Sequence, residues 1–124
     1  MTSLELEALL GLIGGARHIV IGTDTSSRAD GERLATAWGG TVLATVTWPE
    51  TAASWLRQAL RFAAPEPDAW VVSATPAGWT GMSRRLLRST SWSPHRTFAT
   101  SALEGFPLPG LRGARTDGTT WETA

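Results

Sequence analysis

Few side chains in this sequence can do chemistry, and those present limit what the chemistry is. There are two histidines, His18 and His95, and no cysteine, lysine, tyrosine or asparagine. Thiol nucleophiles, disulfides, cysteine metal sites and Schiff-base or phosphate-loop lysines are excluded together, and two histidines are too few for a histidine-rich metal centre. What remains is hydroxyls. Thr23, Asp24, Thr25, Ser26 and Ser27 form one cluster, Thr75, Gly78 and Trp79 a second within "TPAGWT", and Thr100 and Ser101 a third. Hydroxyls and backbone amides hold a polar ligand by hydrogen bonds, and a tryptophan supplies an aromatic wall. No Ser–His pair, carboxylate pair or metal cluster can be assembled from these stretches. The expectation is therefore binding without catalysis, with no catalytic or metal-ligating residue. Asp24 alone is placed to act as an acid or base, and capping a helix is the commoner role for such a residue.

The elements between the clusters place them. Thr2 and Glu5 have capping-box form, with Thr2 as N-cap and Glu5 reaching back, before the run Leu6, Leu9, Leu10 and Ile13, and Gly14-Gly15 end that helix. "HIVIGT" is a continuous apolar run, the pattern of a strand covered on both faces. "ADGERLATAW" repeats Leu34, Ala37 and Trp38 at helical spacing before Gly39-Gly40. "TVLATVTW" alternates, with Val42, Ala44, Val46 and Trp48 on one face. "ETAASWLRQALRFAA" predicts a helix lined by Trp55, Leu56, Ala59, Leu60 and Ala63. "DAWVVSAT" is a third strand, "MSRRLLRST" a third core helix and "RTFATSA" a fourth strand. The tail is loop chemistry in "LEGFPLPGLRG", followed by an Asp117-Gly118 turn between β-prone flanks.

Strands alternating with helices imply an α/β three-layer sandwich, flavodoxin- or Rossmann-like, on a mostly parallel sheet of four to five strands. One domain over 1–124 is expected, with an N-terminal helix in 1–15, a βα core in 17–102 and a loop with an irregular edge hairpin in 103–124. In such sheets ligands sit beyond the carboxyl ends of the strands. All three hydroxyl clusters fall there, and so does Trp48-Pro49-Glu50, whereas His18 and His95 precede strands and fall on the opposite edge.

Composition narrows the class further. With 124 residues and a hydrophobic fraction of 42%, the chain can bury a core. No apolar run reaches the roughly 18–20 residues of a bilayer helix. The start lacks a basic segment and carries Glu5 and Glu7, so a cytoplasmic chain is expected. Formal net charge is zero and the charges are dispersed, which argues against nucleic acid; Arg84, Arg85 and Arg88 read as a solvated helix face. All eleven basic residues are arginine, consistent with the codon usage of a GC-rich bacterium. Of the seven tryptophans, Trp38, Trp55 and Trp70 lie on periodic apolar faces and are expected in the core. Trp48 and Trp79 stand at strand ends, and Trp121 would cover a sheet edge or a partner.

From "HIVIGTDTSSRADGERLATAWGGTVLATVTWP" through "PDAWVVSATPAG" to "PHRTFATSALEGFPLPGLRGA", the chain resembles one lobe of a type 1 periplasmic-binding-protein fold, nearest the branched-chain amino-acid receptors of ABC importers. That resemblance implies an amino acid or small polar ligand held without chemistry, with Thr23, Asp24, Thr25, Thr75 and Trp79 as carried-over contacts. Those receptors close two lobes on the ligand and this chain has length for one, which implies a homodimer or a second-lobe partner chain. A second resemblance is to flavodoxin-like FMN proteins and NAD(P)H-dependent FMN reductases, through "GTDTSSRA" and "SATPAGWTGMSRRLLRS". It implies FMN, with Thr23, Thr25, Ser26 and Ser27 at the phosphate and Trp79 beside the flavin ring. "GTDTSS" is also faintly similar to universal-stress-like nucleotide-binding domains.

Overall fold

The computed structural model describes residues 1–124. Helix α1 (Ser3–Ile13) leads into β1 (His18–Asp24), which ends in a single 3-10 turn at Thr25–Ser27 and helix α2 (Arg28–Ala37). Strand β2 (Thr41–Trp48), helix α3 (Leu56–Ala63), strand β3 (Ala69–Ser73), helix α4 (Pro76–Ser89) and strand β4 (Thr97–Ala99) continue the alternation. Strands β5 (Arg112–Ala114) and β6 (Thr120–Glu122) close the chain. The six strands form one sheet in the order β2-β1-β3-β4-β5-β6, parallel except for the last pair. The architecture is the expected α/β sandwich with an N-terminal helix. The sheet is one strand wider than expected, because Arg112–Ala114, within the stretch read as loop, pairs with β4 and also forms the first arm of the Asp117-Gly118 hairpin. No helix is long and apolar enough to cross a membrane.

The sheet separates two apolar layers. On one face α1 and α2 cover Ile19, Ile21, Val71 and Phe98 with Leu9, Ile13 and Leu34. On the other, α3 and α4 cover Val20, Val46 and Val72 with Phe62, Met82 and Leu86 around Trp48, Trp70 and Trp79. Gly22 in β1 makes that second layer possible: a Cβ there would lie 2.5 Å from the Phe62 ring and 2.7 Å from Trp48. The rings meet the strand backbone directly, which any side chain would prevent. Two indoles are also fastened by hydrogen bonds, Trp70 Nε1 to the Phe62 carbonyl and Trp48 Nε1 to the Gly78 carbonyl, each at 2.7 Å.

Four local expectations are corrected. The register of β1 against β2 shifts between Ile19 and Val20, which oppose Val42 and Ala44, so Leu43 is a bulge. The bulge moves Val42 to the α1/α2 layer while Ala44, Val46 and Trp48 stay in the other. Helix α3 begins only at Leu56, because 49–55 runs across the strand ends, with Trp55 Nε1 donating to the Pro49 carbonyl and the Ser54 hydroxyl accepting the Leu56 N–H. Its buried face is Ala59, Phe62 and Ala63, which leaves Leu56 and Leu60 exposed. Third, Glu5 does not reach back to Thr2: Thr2 Oγ1 accepts the Glu5 N–H, but the Glu5 side chain is buried and turned toward Ser101. Fourth, Trp38 and Trp55 are only half-buried, unlike Trp70, because each sits at the end of its helix and not within the buried face.

"TPAGWTG" is not a loop. It is the first part of α4, with Thr75 as N-cap accepting the Gly78 N–H and Pro76 at a position whose N–H has no helical partner in any case. The helix carries Trp79 inward, where its ring lies 5.8 Å from Trp48 and 5.7 Å from Trp92, edge-on to the latter. Trp79 has no exposed surface, and its indole N–H finds no acceptor. Truncation of a fully buried aromatic leaves a cavity, so Trp79→Ala should cost about 3–5 kcal/mol of stability. Trp79→Phe should cost less, because it keeps most of the ring and removes an unpaired buried donor. Urea unfolding of the two variants measures this; a loss under about 1 kcal/mol for the alanine would contradict the packing described.

Candidate functional site

The carboxyl edge of the sheet is organised by Asp24. Its side chain is completely buried at the end of β1. One oxygen accepts the Ser27 N–H at 3.0 Å, and the other accepts both the Thr75 N–H and the Thr75 hydroxyl at 2.8 Å. Thr75 Oγ1 in turn accepts the Gly78 N–H. One acid thus caps the turn after β1 and fixes the first residues of α4, where it also complements the positive end of the helix dipole. Gly78 is required by this contact: a Cβ there would stand 2.2 Å from Asp24 Oδ2.

The neighbouring hydroxyls are tied in similar fashion. Thr100 Oγ1 donates to Ser73 Oγ at 3.2 Å, and Ser73 Oγ donates to Asp30 Oδ2 at 2.8 Å. Glu5 from α1 accepts the Ser101 N–H at 2.8 Å. Thr23 faces Thr47, with the two hydroxyl oxygens 3.4 Å apart. Glu50, from the segment after β2, accepts the Thr25 N–H, the Ser26 N–H and the Ser26 hydroxyl. The Ser26 hydroxyl, followed by the two backbone N–H groups, holds the Glu50 carboxyl below its ordinary value of 4.5.

The expected site residues therefore divide. Thr23, Asp24, Gly78, Trp79 and Thr100 are buried, and in this structure they build the edge from within. Trp79, expected either as an aromatic wall or as a ring folded over its own loop, belongs to the core because the helix containing it begins at Pro76. Thr25 and Ser26 are exposed, while Ser27, Thr75 and Ser101 are half-buried, and these five reach the surface together at the strand ends. Two contacts expected at an FMN site are made otherwise in this structure. The Thr25 and Ser26 amides expected at a phosphate already receive the Glu50 carboxylate, which a phosphate would have to displace against like charge. Trp79, expected beside a flavin ring, is packed in the core.

Beside Thr75 and Ser101 lies a groove of about 520 Å³ that sequence reasoning missed. Helix α4 forms one wall with Pro76, Thr80, Ser83, Arg84 and Leu87, and the segment Ala102–Leu108 forms the other with Phe106. Arg84, read from the sequence as part of a solvated face, stands here without an ion pair, whereas Glu104 on the far wall is held by Arg115 at 2.7 Å. The signal available beforehand was the pair of large apolar residues in "GFPLPG", too many for a solvated loop. At the amino edge, His18 opens β1 beside Asp68, 3.5 Å away, and His95 lies just before β4. Neither histidine lines the groove.

No protein-family profile matches the sequence, and none of the curated proteins is similar to it. Among solved structures, an extracellular ligand-binding receptor from Rhodopseudomonas palustris HaA2 superimposes with a TM-score of 0.63 at 16% identity, over 90% of this chain and 34% of the receptor. The likeness is one of fold. This chain spans about a third of the receptor's length. The receptor-lobe resemblance seen in the sequence holds at that level.

Two outcomes test the edge. Gly78→Ala should lower stability by about 1–3 kcal/mol, because Asp24 must move off its donors and its buried carboxylate is then short of partners. An unchanged denaturation midpoint would place Asp24 elsewhere. The second concerns pH. A carboxyl with a lowered folded-state value stabilises the fold above its unfolded value and loses that contribution as pH falls through the folded one. For Glu50 the decline lies below about pH 4.5. Wild-type Tm should therefore fall more steeply than that of Glu50→Gln in that range; parallel curves would remove Glu50 from the turn.

Proposed function

We propose that this protein is a small-ligand-binding domain without catalytic chemistry, which holds an amino acid or similar small polar molecule at the carboxyl edge of its sheet. The observation that carries the reading is the groove between α4 and Ala102–Leu108, where Thr80, Ser83 and Arg84 stand among Pro76, Leu87 and Phe106. A concave surface with apolar walls and a few directed polar groups is what a small polar ligand requires. The receptor with the same fold supports it, as does the absence of either histidine from that edge. Thr25, Ser26 and Ser27 would extend the contact surface toward β1. The groove is open on its outer side, so a second lobe, from another chain, would complete the enclosure.

A ligand present at about 100 times its Kd adds about 2.7 kcal/mol of stability, which raises Tm by roughly 10 °C in a chain of this size. A thermal-shift screen of amino acids and small polar solutes should find such a ligand. Arg84→Ala should reduce the shift while leaving the Tm of the free protein within about a degree, since Arg84 has no partner to lose. A shift unaffected by Arg84→Ala would move the site away from the groove. Tight binding of FMN with no response to polar solutes would replace the reading altogether.

A further inference from the structure

The two ends of the sheet are finished differently. Strand β6 is three residues long, ends on the charged Glu122 and runs beside the Arg115–Glu104 pair. Strand β2 at the other end is eight residues long and pairs on one side only, with β1. Its sequence, "TVLATVTW", contains no charge and no proline, and it is rich in β-branched residues. Short length, charge, proline and bulges are devices that keep a sheet edge from pairing with another chain. β6 has the first two, and β2 has only a bulge. The single bulge, at Leu43, leaves Ala44–Trp48 in regular register and exposes Leu43 to 42%.

We propose that β2 pairs with β2 of a second copy of this chain, antiparallel about a two-fold axis, so that one sheet runs through both copies. A two-fold interface places a surface against itself, and a charged strand would therefore oppose like charges. An uncharged Thr/Val strand does not. The flanks complete the match. Arg17, whose carbonyl accepts the Thr41 N–H, stands at the amino end of β2, and Glu50 stands just beyond its carboxyl end. Antiparallel pairing brings the Arg17 end of each copy to the Glu50 end of the other. At about 3.3 Å per residue the paired edge would be roughly 26 Å long. The two carboxyl edges point in opposite directions in such a dimer, so it leaves both grooves open and does not close one copy over the other's ligand. The inference is independent of what the groove binds.

Sedimentation equilibrium over a wide concentration range tests it, together with amide hydrogen exchange. The protein should approach twice the mass of one chain, and protection of β2 amides should fall on dilution. Leu43→Lys with Thr45→Lys places charges at two exposed positions of the strand and should raise the dimer dissociation constant roughly tenfold or more. Circular dichroism checks that this variant is folded, and Leu56→Lys with Leu60→Lys on α3 should leave the dimer intact. A monomer at every concentration would overturn the proposal. So would a dimer indifferent to the β2 lysines, or one dissolved only by the α3 pair.

Discussion

At the carboxyl edge of the sheet, the turn after β1 and the start of α4 are joined by a buried acid accepting three hydrogen bonds. Asp24 takes the Ser27 N–H on one oxygen and the N–H and hydroxyl of Thr75 on the other. Those donors belong to the turn after β1 and to the start of α4. Removing the acid would take the partner from three donors at once, and hydrogen bonds to a charged group are worth more than typical ones. The same constraint decides where the groove can be. With α4 anchored at Thr75, its first turns present Thr80, Ser83 and Arg84 to the Ala102–Leu108 segment and turn Trp79 beneath them.

The aromatic layer is the second half of that arrangement. Trp48 packs against Phe62 and Trp79, and its N–H is donated to the Gly78 carbonyl, one residue from the Trp79 ring. The end of β2 and the start of α4 are thus held twice, by an indole hydrogen bond on one side and by packing on the other. Polar ties across the edge are satisfied from different elements: Glu5 from α1 serves Ser101, Asp30 from α2 serves Ser73, and Glu50 serves the turn after β1. Hydroxyls concentrated in sequence clusters are therefore partly scaffold and partly surface. Such an edge is suited to preorganised binding, because groups already held in place lose little freedom when a ligand arrives.

Strand and helix order was legible because it rests on local periodicity. The continuous run "HIVIGT" and the alternation of "TVLATVTW" each report how many faces of a strand are covered, and the placement of the histidines on the amino edge follows from chain order alone. A capping role for Asp24 was legible because it stands just before a helix, whereas its bonds to Thr75 were not. The groove was not. Its walls come from two segments brought together only when β4 pairs with β3, and the apolar residues of "GFPLPG" carry no periodicity to place them.

The sequence by itself determined the alternation of elements, the parallel sheet and the edge on which the hydroxyls gather, because those depend on side-chain pattern and on the handedness of βα units. Tertiary structure decided which hydroxyls reach the surface, the bulge that moves Val42 to the other face, the six-strand width, and the burial of Trp79. The physical reason is common to them. A Gly/Pro-containing stretch such as "TPAGWTG" is compatible with loop or helix on local energetics, and only a buried carboxylate 51 positions earlier, with rings from β2 and Trp92, makes the helix the lower state.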